Sequence, residues 1–394
     1  MKLLPALLVC VTLAATDGSA APYLPADDSQ VLERLPARIA DPGQRELSAW
    51  RKQLADQPAN LPLALRVARR YSELGRVSGD PRYAGYAQAA LGPWWDRPDA
   101  PPEVRVLRAT LRQRLHQFEA ALVDLDAVLK ADPRNAQARL TKATILQVQG
   151  KYAAAGDECL ALQPLVQDAV SAMCRASVGG LTGRLRASYG QLRSAYERSG
   201  KTDAGIRAWL ATALGEMAAR AGMTAAAEAD FRTALAIDPA DSYLLGAYAD
   251  FLLDTDRARE VPPLLKAHLG VDALLLRHAL ALQAIRSPDL GPAVDQLRAR
   301  FDASRLRGER VHLREEARFT LHLLGNAAEA LRLAEQNWAI QKEPADLRLL
   351  LQAAVAAHDE TAQRAARRWV TVTGLEDVQL LPLLGPASGA VKPE

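Results

Sequence analysis

A pattern of small and turn residues returns about every 34 positions along this chain, and it limits the fold more than anything else in the sequence. Its sharpest copy runs Leu214-Gly215, Gly222, Ala227, Phe231, Ala234, Asp238-Pro239. Ala109 and Ala143 stand 34 apart, Ala176 follows 33 later, and Gly215 and Ala249 are again 34 apart. A period of this size is one helical hairpin. A hairpin cannot bury its apolar face alone, so such units must stack.

The residues inside the period have physical roles. A small side chain is required where the two helices of a hairpin approach closely. Gly150, Gly183 and Gly222 fall seven positions after such a residue, where the first helix must end and turn. Ala121, Ala155 and Ala227 begin the core face of the second helices, with Phe118 and Tyr152 as wedges three residues before the first two. Four signatures punctuate the chain: Gln57-Pro58-Ala59-Asn60, Asp132-Pro133-Arg134-Asn135, Asp238-Pro239-Ala240-Asp241 and Glu343-Pro344-Ala345-Asp346. Proline cannot continue the preceding helix, and the Asn or Asp two residues later is expected to cap the next. Their separations of 75, 106 and 105 residues are near two, three and three repeats.

These motifs resemble the tetratricopeptide repeat family. The copies at 102–135, 136–165, 208–241 and 242–270 match well; those at 61–93, 169–200, 272–306 and 311–345 are degenerate, and 346–372 is a partial last copy. The first-helix tryptophan of the family is absent throughout. The resemblance implies an all-α, right-handed superhelical solenoid of tetratricopeptide-type hairpins over 61–381, with a concave face that docks a peptide or protein. By the family's geometry, the inward positions include Gln113, Thr144, Gln147, Ser177, Trp209, Thr212, Glu216, Arg220, Tyr243 and Asp250. Arg220 and Asp250 are expected there as exposed charges.

Composition agrees with helix. Hydrophobic residues make up 49% of the 394, aromatics only 5%, and Ala, Leu and Arg dominate over β-branched types. The formal charge of +3 lacks the concentrated basic footprint of a nucleic-acid binder.

Residues 1–20 read as a signal peptide. Lys2 precedes an apolar run from Leu3 to Ala15, and Gly18-Ser19-Ala20 offers a cleavage site. That run is too short to span a bilayer, and no later stretch is long enough. With a GC-rich bacterial composition, export implies a periplasmic or secreted protein. Residues 21–60 are expected to form a helical cap, with helices at 27–35 and 44–56, and 382–394 a loose tail.

Removing the leader leaves Cys159 and Cys174. An even count in an exported chain suggests one disulfide. The two lie equidistant from the centre of the 164–168 loop, on helices of adjacent hairpins, so their side chains can meet. Two separate buried thiols is the alternative.

No catalytic chemistry emerges. Gly200-Lys201-Thr202 lacks the earlier glycine of a phosphate loop, since Ala195 stands there. The six histidines make no zinc-ligand spacing, and no serine sits in a nucleophile elbow. No cofactor or metal is called for. Two clusters invite a binding role: the aromatics Tyr83, Tyr86, Trp94 and Trp95, and the basic stretch Arg298, Arg300, Arg305, Arg307, Arg310 and Arg314. The first reading is therefore an exported, non-enzymatic interaction scaffold. The second is a factor that binds envelope glycan through those clusters, and burial of Trp94 and Trp95 would remove its best feature.

The exported form is expected to begin at Ala21. N-terminal sequencing of the protein isolated from its native cell checks this; an intact Met1 on the mature chain overturns it.

Overall fold

The computed structural model describes residues 42–80, 82–200, 202–308 and 312–385. The expected signal peptide, the 27–35 helix and 386–394 lie outside the described residues. The chain divides into two compact units, Met1–Ser48 and Ala49–Glu394. Of the first, only the start of α1 (Pro42–Asp56) is described. Everything below concerns the second.

The described residues form an all-α solenoid of nine helical pairs. In order these are α2 (Leu61–Ser78) with α3 (Arg82–Ala90), then, after the short α4 (Gly92–Trp95), α5 (Pro102–Arg114) with α6 (Phe118–Ala131). Next come α7 (Ala136–Val148) with α8 (Tyr152–Leu162), α9 (Asp168–Gly179) with α10 (Leu185–Arg198), and α11 (Ala204–Arg220) with α12 (Thr224–Ile237). The sixth pair joins α13 (Ser242–Asp254) to α14 (Val261–Leu265), whose second arm is broken into short turns around Pro262 and Pro263. The last three are α15 (Asp272–Ala284) with α16 (Leu290–Leu306), α17 (Leu313–His322) with α18 (Ala327–Ile340), and α19 (Pro344–Ala356) with α20 (Glu360–Thr373). The terminal repeat, expected as a partial copy, is a full hairpin. A short α21 (Leu381–Leu384) follows.

The small-residue positions lie where the helices cross. Ala109 and Ala249 are fully buried, Ala143 and Ala176 nearly so. At Gly215 the fit is tight: a Cβ there would stand 2.8 Å from the Phe231 ring of its own hairpin. The register also continues where the sequence hides it. Each of the nine pairs turns through one residue of positive φ: Gly79, His116, Gly150, Gly183, Gly222, Asp256, Arg286, Gly325 and His358. Glycine fits this left-handed turn without a Cβ penalty, and His and Asp are tolerated, but Arg286 adopts it at a cost of about 1 kcal/mol. Tertiary packing therefore imposes the turn in the degenerate copies.

The junction caps follow the sequence in three cases of four. Asn60, Asn135 and Asp241 accept from the amides of Leu63, Ala138 and Leu244. At the fourth, the cap is Glu343 and not Asp346. Pro344 takes the first helical position, and Asp346 reaches back to accept the Glu343 amide at 2.9 Å, forming a capping box. Cys159 and Cys174 are joined by a disulfide with Cα atoms 5.5 Å apart, tying the third hairpin to the fourth. A closed loop of this size contributes about 3 kcal/mol by chain entropy.

Trp94 and Trp95 are each only 8% exposed. Their carbonyls accept from Arg108, which is itself buried and bonded to Asp124. Arg112 completes the network, donating to Asp124 at 2.8 Å and lying over the Trp95 ring. The tryptophans thus plug the irregular junction between the first and second hairpins.

Gly215→Ala should cost about 1–3 kcal/mol, because Phe231 is 1% exposed and has no room to retreat. Gly190→Ala, in a helix interior with open space around it, should stabilise by about 0.4–1 kcal/mol. Urea denaturation of both variants reads the difference; equal effects would show that the crossing is not tightly packed.

Candidate binding cavity

The first helices of successive hairpins, α5, α7, α9, α11 and α13, present one face to a cavity of about 1440 Å³. All ten inward positions expected from the repeat pattern line it. The sequence reading did not anticipate the opposite wall. Arg314, Glu315 and Arg318 of α17, Glu343 and Arg348 at and within α19, and Asp377 and Val378 beyond α20 also line the cavity. The superhelix curls far enough that its last hairpins face its middle ones.

A seam joins the two walls. The Lys342 amide donates to the Val148 carbonyl at 2.7 Å, and the Val378 amide to the Arg220 carbonyl at 2.9 Å. The left-handed turns run along this seam. A Cβ at Gly150 would meet the Trp369 ring at 2.6 Å, and one at Gly222 would meet Val378 at 3.1 Å. These two glycines therefore satisfy both the turn and a close approach by a distant segment. Ion pairs close the other side: Arg318 with Asp250 at 2.7 Å, and Arg348 with both oxygens of Asp254 at 2.7 and 2.8 Å.

The ten lining residues fall into two groups. Gln113, Gln147, Ser177 and Trp209 have no side-chain hydrogen bond among the described residues. Gln113 and Gln147 occupy equivalent places in consecutive repeats, as do Trp209 and Tyr243, which are 40% and 61% exposed. Thr144 and Thr212 turn their hydroxyls back onto the carbonyls of Leu140 and Ala208. The charged members are engaged. Asp250 accepts from Arg277 at 2.6 Å as well as from Arg318, and Arg220 donates to the Gly180 carbonyl at 3.0 Å. The expectation that Arg220 and Asp250 are freely exposed is therefore corrected. Removing Asp250 would leave two guanidinium groups facing each other, and replacing both residues would not leave folding untouched.

Depth sets the electrostatics. Burial alone would raise the Asp250 carboxyl, but the charges of Arg277 and Arg318 outweigh it and hold it at about 2. Glu216 has no such partner. Burial pushes its carboxyl up to about 7, against the Tyr243 hydroxyl that donates to it at 2.7 Å and the positive charge of Arg220. Glu343 adds to the rise and Arg314 opposes it. Arg314 itself is held by Glu343 at 2.8 Å, with Asp346 at 3.4 Å.

The basic stretch does not form a free patch. Arg298 pairs with Asp295, Arg300 with Asp272, Arg305 with Asp302 and Glu316, and Arg314 with the α19 carboxylates. Arg310 lies outside the described residues. The α17 and α19 side chains that complete the cavity carried no signal in the sequence beyond their weak repeat register, because their inward role depends on curvature accumulated over the whole array.

No protein family matches the chain, and no curated protein does. Similar solved structures include the APC/C hetero-tetramer Cut9-Hcn1, at 13% identity and TM-score 0.40, covering 88% of this chain and 75% of that one. Yeast Tom70 is similar at 12% identity and TM-score 0.42, covering 87% and 83%. The P58(IPK) TPR domain is similar at 16% identity and TM-score 0.24, covering 80% and 96%. The fold follows from the helix order and the repeated turn register.

The folded pKa of Glu216 lies above its unfolded value, so the fold binds an extra proton between those two values. The stability from this site is present at low pH and is lost as pH rises through about 7. Glu216→Gln mimics the protonated form. Its stability, relative to the unaltered protein, should rise between pH 5 and pH 8 in urea titrations; a constant difference across that range overturns the assignment.

Proposed function

We propose that the chain is a non-enzymatic scaffold, exported to the cell envelope, that binds a protein or peptide partner against the first-helix wall of its cavity. One observation carries this reading: the unspent hydrogen-bonding side chains on that wall. Gln113, Gln147 and Ser177 face the cavity on successive repeats, with the exposed rings of Trp209 and Tyr243 farther along the same wall. Amides repeated at the spacing of adjacent helices suit the backbone of an extended segment, and half-exposed aromatics supply area at low entropic cost. The apparent charges lining the cavity are mostly satisfied within the chain, so they contribute shape and selectivity more than attraction for a polyanion. The export part of the reading rests on Lys2, the Leu3–Ala15 run and the Ala20 cleavage signature, together with a disulfide of the kind that oxidising compartments favour.

The glycan reading loses its best feature in this arrangement. Trp94 and Trp95 are committed to the core, which leaves Tyr86, 49% exposed, as the open ring of that cluster, and most of the arginines of the basic stretch are paired.

The mature protein, immobilised, should capture a partner from envelope extract. The variant carrying Gln113→Ala, Gln147→Ala and Trp209→Ala should lose that partner by at least about tenfold, which corresponds to about 1.4 kcal/mol, while its thermal unfolding stays close to that of the unaltered chain. Unchanged capture by the triple variant overturns the cavity as the binding site.

A further inference from the structure

The segment that follows α20 leaves the last hairpin and crosses to the turns of the fourth and fifth. Leu375 and Leu380 are buried, 7% and 1% exposed, and belong to the apolar core of the C-terminal hairpins. Between them the chain is irregular and meets the opposite wall through a few polar contacts. The Glu376 carboxylate accepts the Leu185 amide at 2.6 Å, at the first position of α10. The Val378 amide donates to the Arg220 carbonyl, and the Val378 side chain covers Gly222. Burial raises the Asp377 carboxyl, with Asp254 adding to the rise and the Gln379 amide and the charges of Arg220 and Arg348 opposing it. Arg220 makes no ion pair of its own among the described residues.

This is how a short extended peptide would bind. A carboxylate takes the open amide at a helix N-terminus, where the dipole favours negative charge. A second carboxylate faces an arginine, a backbone amide finds a carbonyl, and a branched apolar side chain fits over a glycine that leaves room for it. The Glu376 side chain is exposed, so its bond competes with water. Nothing in these contacts requires the segment to belong to the same chain.

We propose that Glu376–Val378 is a resident pseudo-ligand: it holds in cis a docking surface, formed by the Leu185 amide, Arg220 and Gly222, that takes in trans an extended peptide bearing two adjacent carboxylates followed by a branched apolar residue. The proposal rests on the cavity being the partner site and names part of the partner's chemistry. Arg220 belongs to both, since it lines the cavity and faces the resident segment. A partner with this acidic motif displaces the segment, while the Gln113, Gln147 and Trp209 wall contacts the remainder.

The probe is a fluorescein-labelled Leu-Glu-Asp-Val-Gln-Leu peptide, titrated by fluorescence anisotropy into three full-length proteins: unaltered, Glu376→Gln, and Glu376→Gln with Asp377→Asn. A tethered segment competes at roughly millimolar effective concentration and lowers the apparent affinity of a free peptide by the fraction of surface it leaves open. Binding should tighten about threefold in the single variant and about tenfold in the double, and a Leu-Gln-Asn-Val-Gln-Leu peptide should bind at least about tenfold more weakly to each. The single variant alters an exposed side chain and keeps the test valid if the double variant melts early. Equal affinity for all three proteins, absence of binding, or equal binding of the neutral peptide overturns the proposal and leaves the segment a simple cap. If the peptide fails while the envelope partner still depends on Gln113, Gln147 and Trp209, only this proposal falls; if the peptide binds but no partner depends on those residues, the cavity reading falls instead.

Discussion

The close crossing of two helices within each hairpin is the constraint on which the rest of this structure depends. Gly215 lies against the face of Phe231 with no space for even a methyl group, and Ala109, Ala143, Ala176 and Ala249 hold the equivalent place in their own repeats. A close crossing fixes the angle of each hairpin, and the angle, repeated, fixes how fast the array curves. The left-handed turn seven residues later is part of the same device, because it returns the chain at the only angle the crossing allows. Where the sequence offers His116, Asp256 or Arg286 in place of glycine, packing of the flanking helices keeps the turn at a small local cost.

Accumulated curvature produces the cavity. By the eighth and ninth hairpins the array faces its own middle, and the groove expected of an open solenoid has a second wall. Polar groups that would meet water in an open groove must then find partners in the chain. Asp250 and Asp254 do so with Arg318 and Arg348, which reach across from the C-terminal hairpins. Glu216 finds only a tyrosine hydroxyl, so its carboxyl shifts up to about 7. The seam itself combines backbone hydrogen bonds, ion pairs and glycine contacts with apolar packing, since Leu181 and Tyr152 join the core of the C-terminal hairpins and Tyr152 meets the Trp369 ring. The core through the fourth to seventh hairpins, where Phe231, Leu210 and Leu214 are almost fully buried, contrasts with the ion pairs and backbone hydrogen bonds of the seam. Contacts of this kind add little to stability individually and exchange readily with competing groups.

Much of the fold could be read from residues. Period, small positions, proline junctions and the Asn and Asp caps all report local packing or local backbone chemistry, which neighbouring residues in sequence determine. The Glu343 junction shows the limit of that approach. Pro344 and Asp346 match the other signatures in spelling, yet the helix starts three residues earlier, because a carboxylate at the third helical position can cap in reverse. The aromatic cluster shows another. Tyr83, Tyr86, Trp94 and Trp95 stand out in an aromatic-poor chain, but only the buried Arg108–Asp124 pair, 16 residues apart, shows that the tryptophans seal a junction.

The sequence by itself determined the unit of this protein: a helical hairpin with a tight crossing, a defined turn and one face that must be buried, and therefore a stacked array; the family resemblance added that its first helices look inward. It also determined which two cysteines could meet, since both lie at equal distance from one short loop. Only the tertiary structure decided what the inward face meets. The partners of Asp250, Asp254 and Gly222 lie 68, 94 and 156 residues away. Their placement depends on small rotations summed over many repeats, and no local pattern encodes that sum.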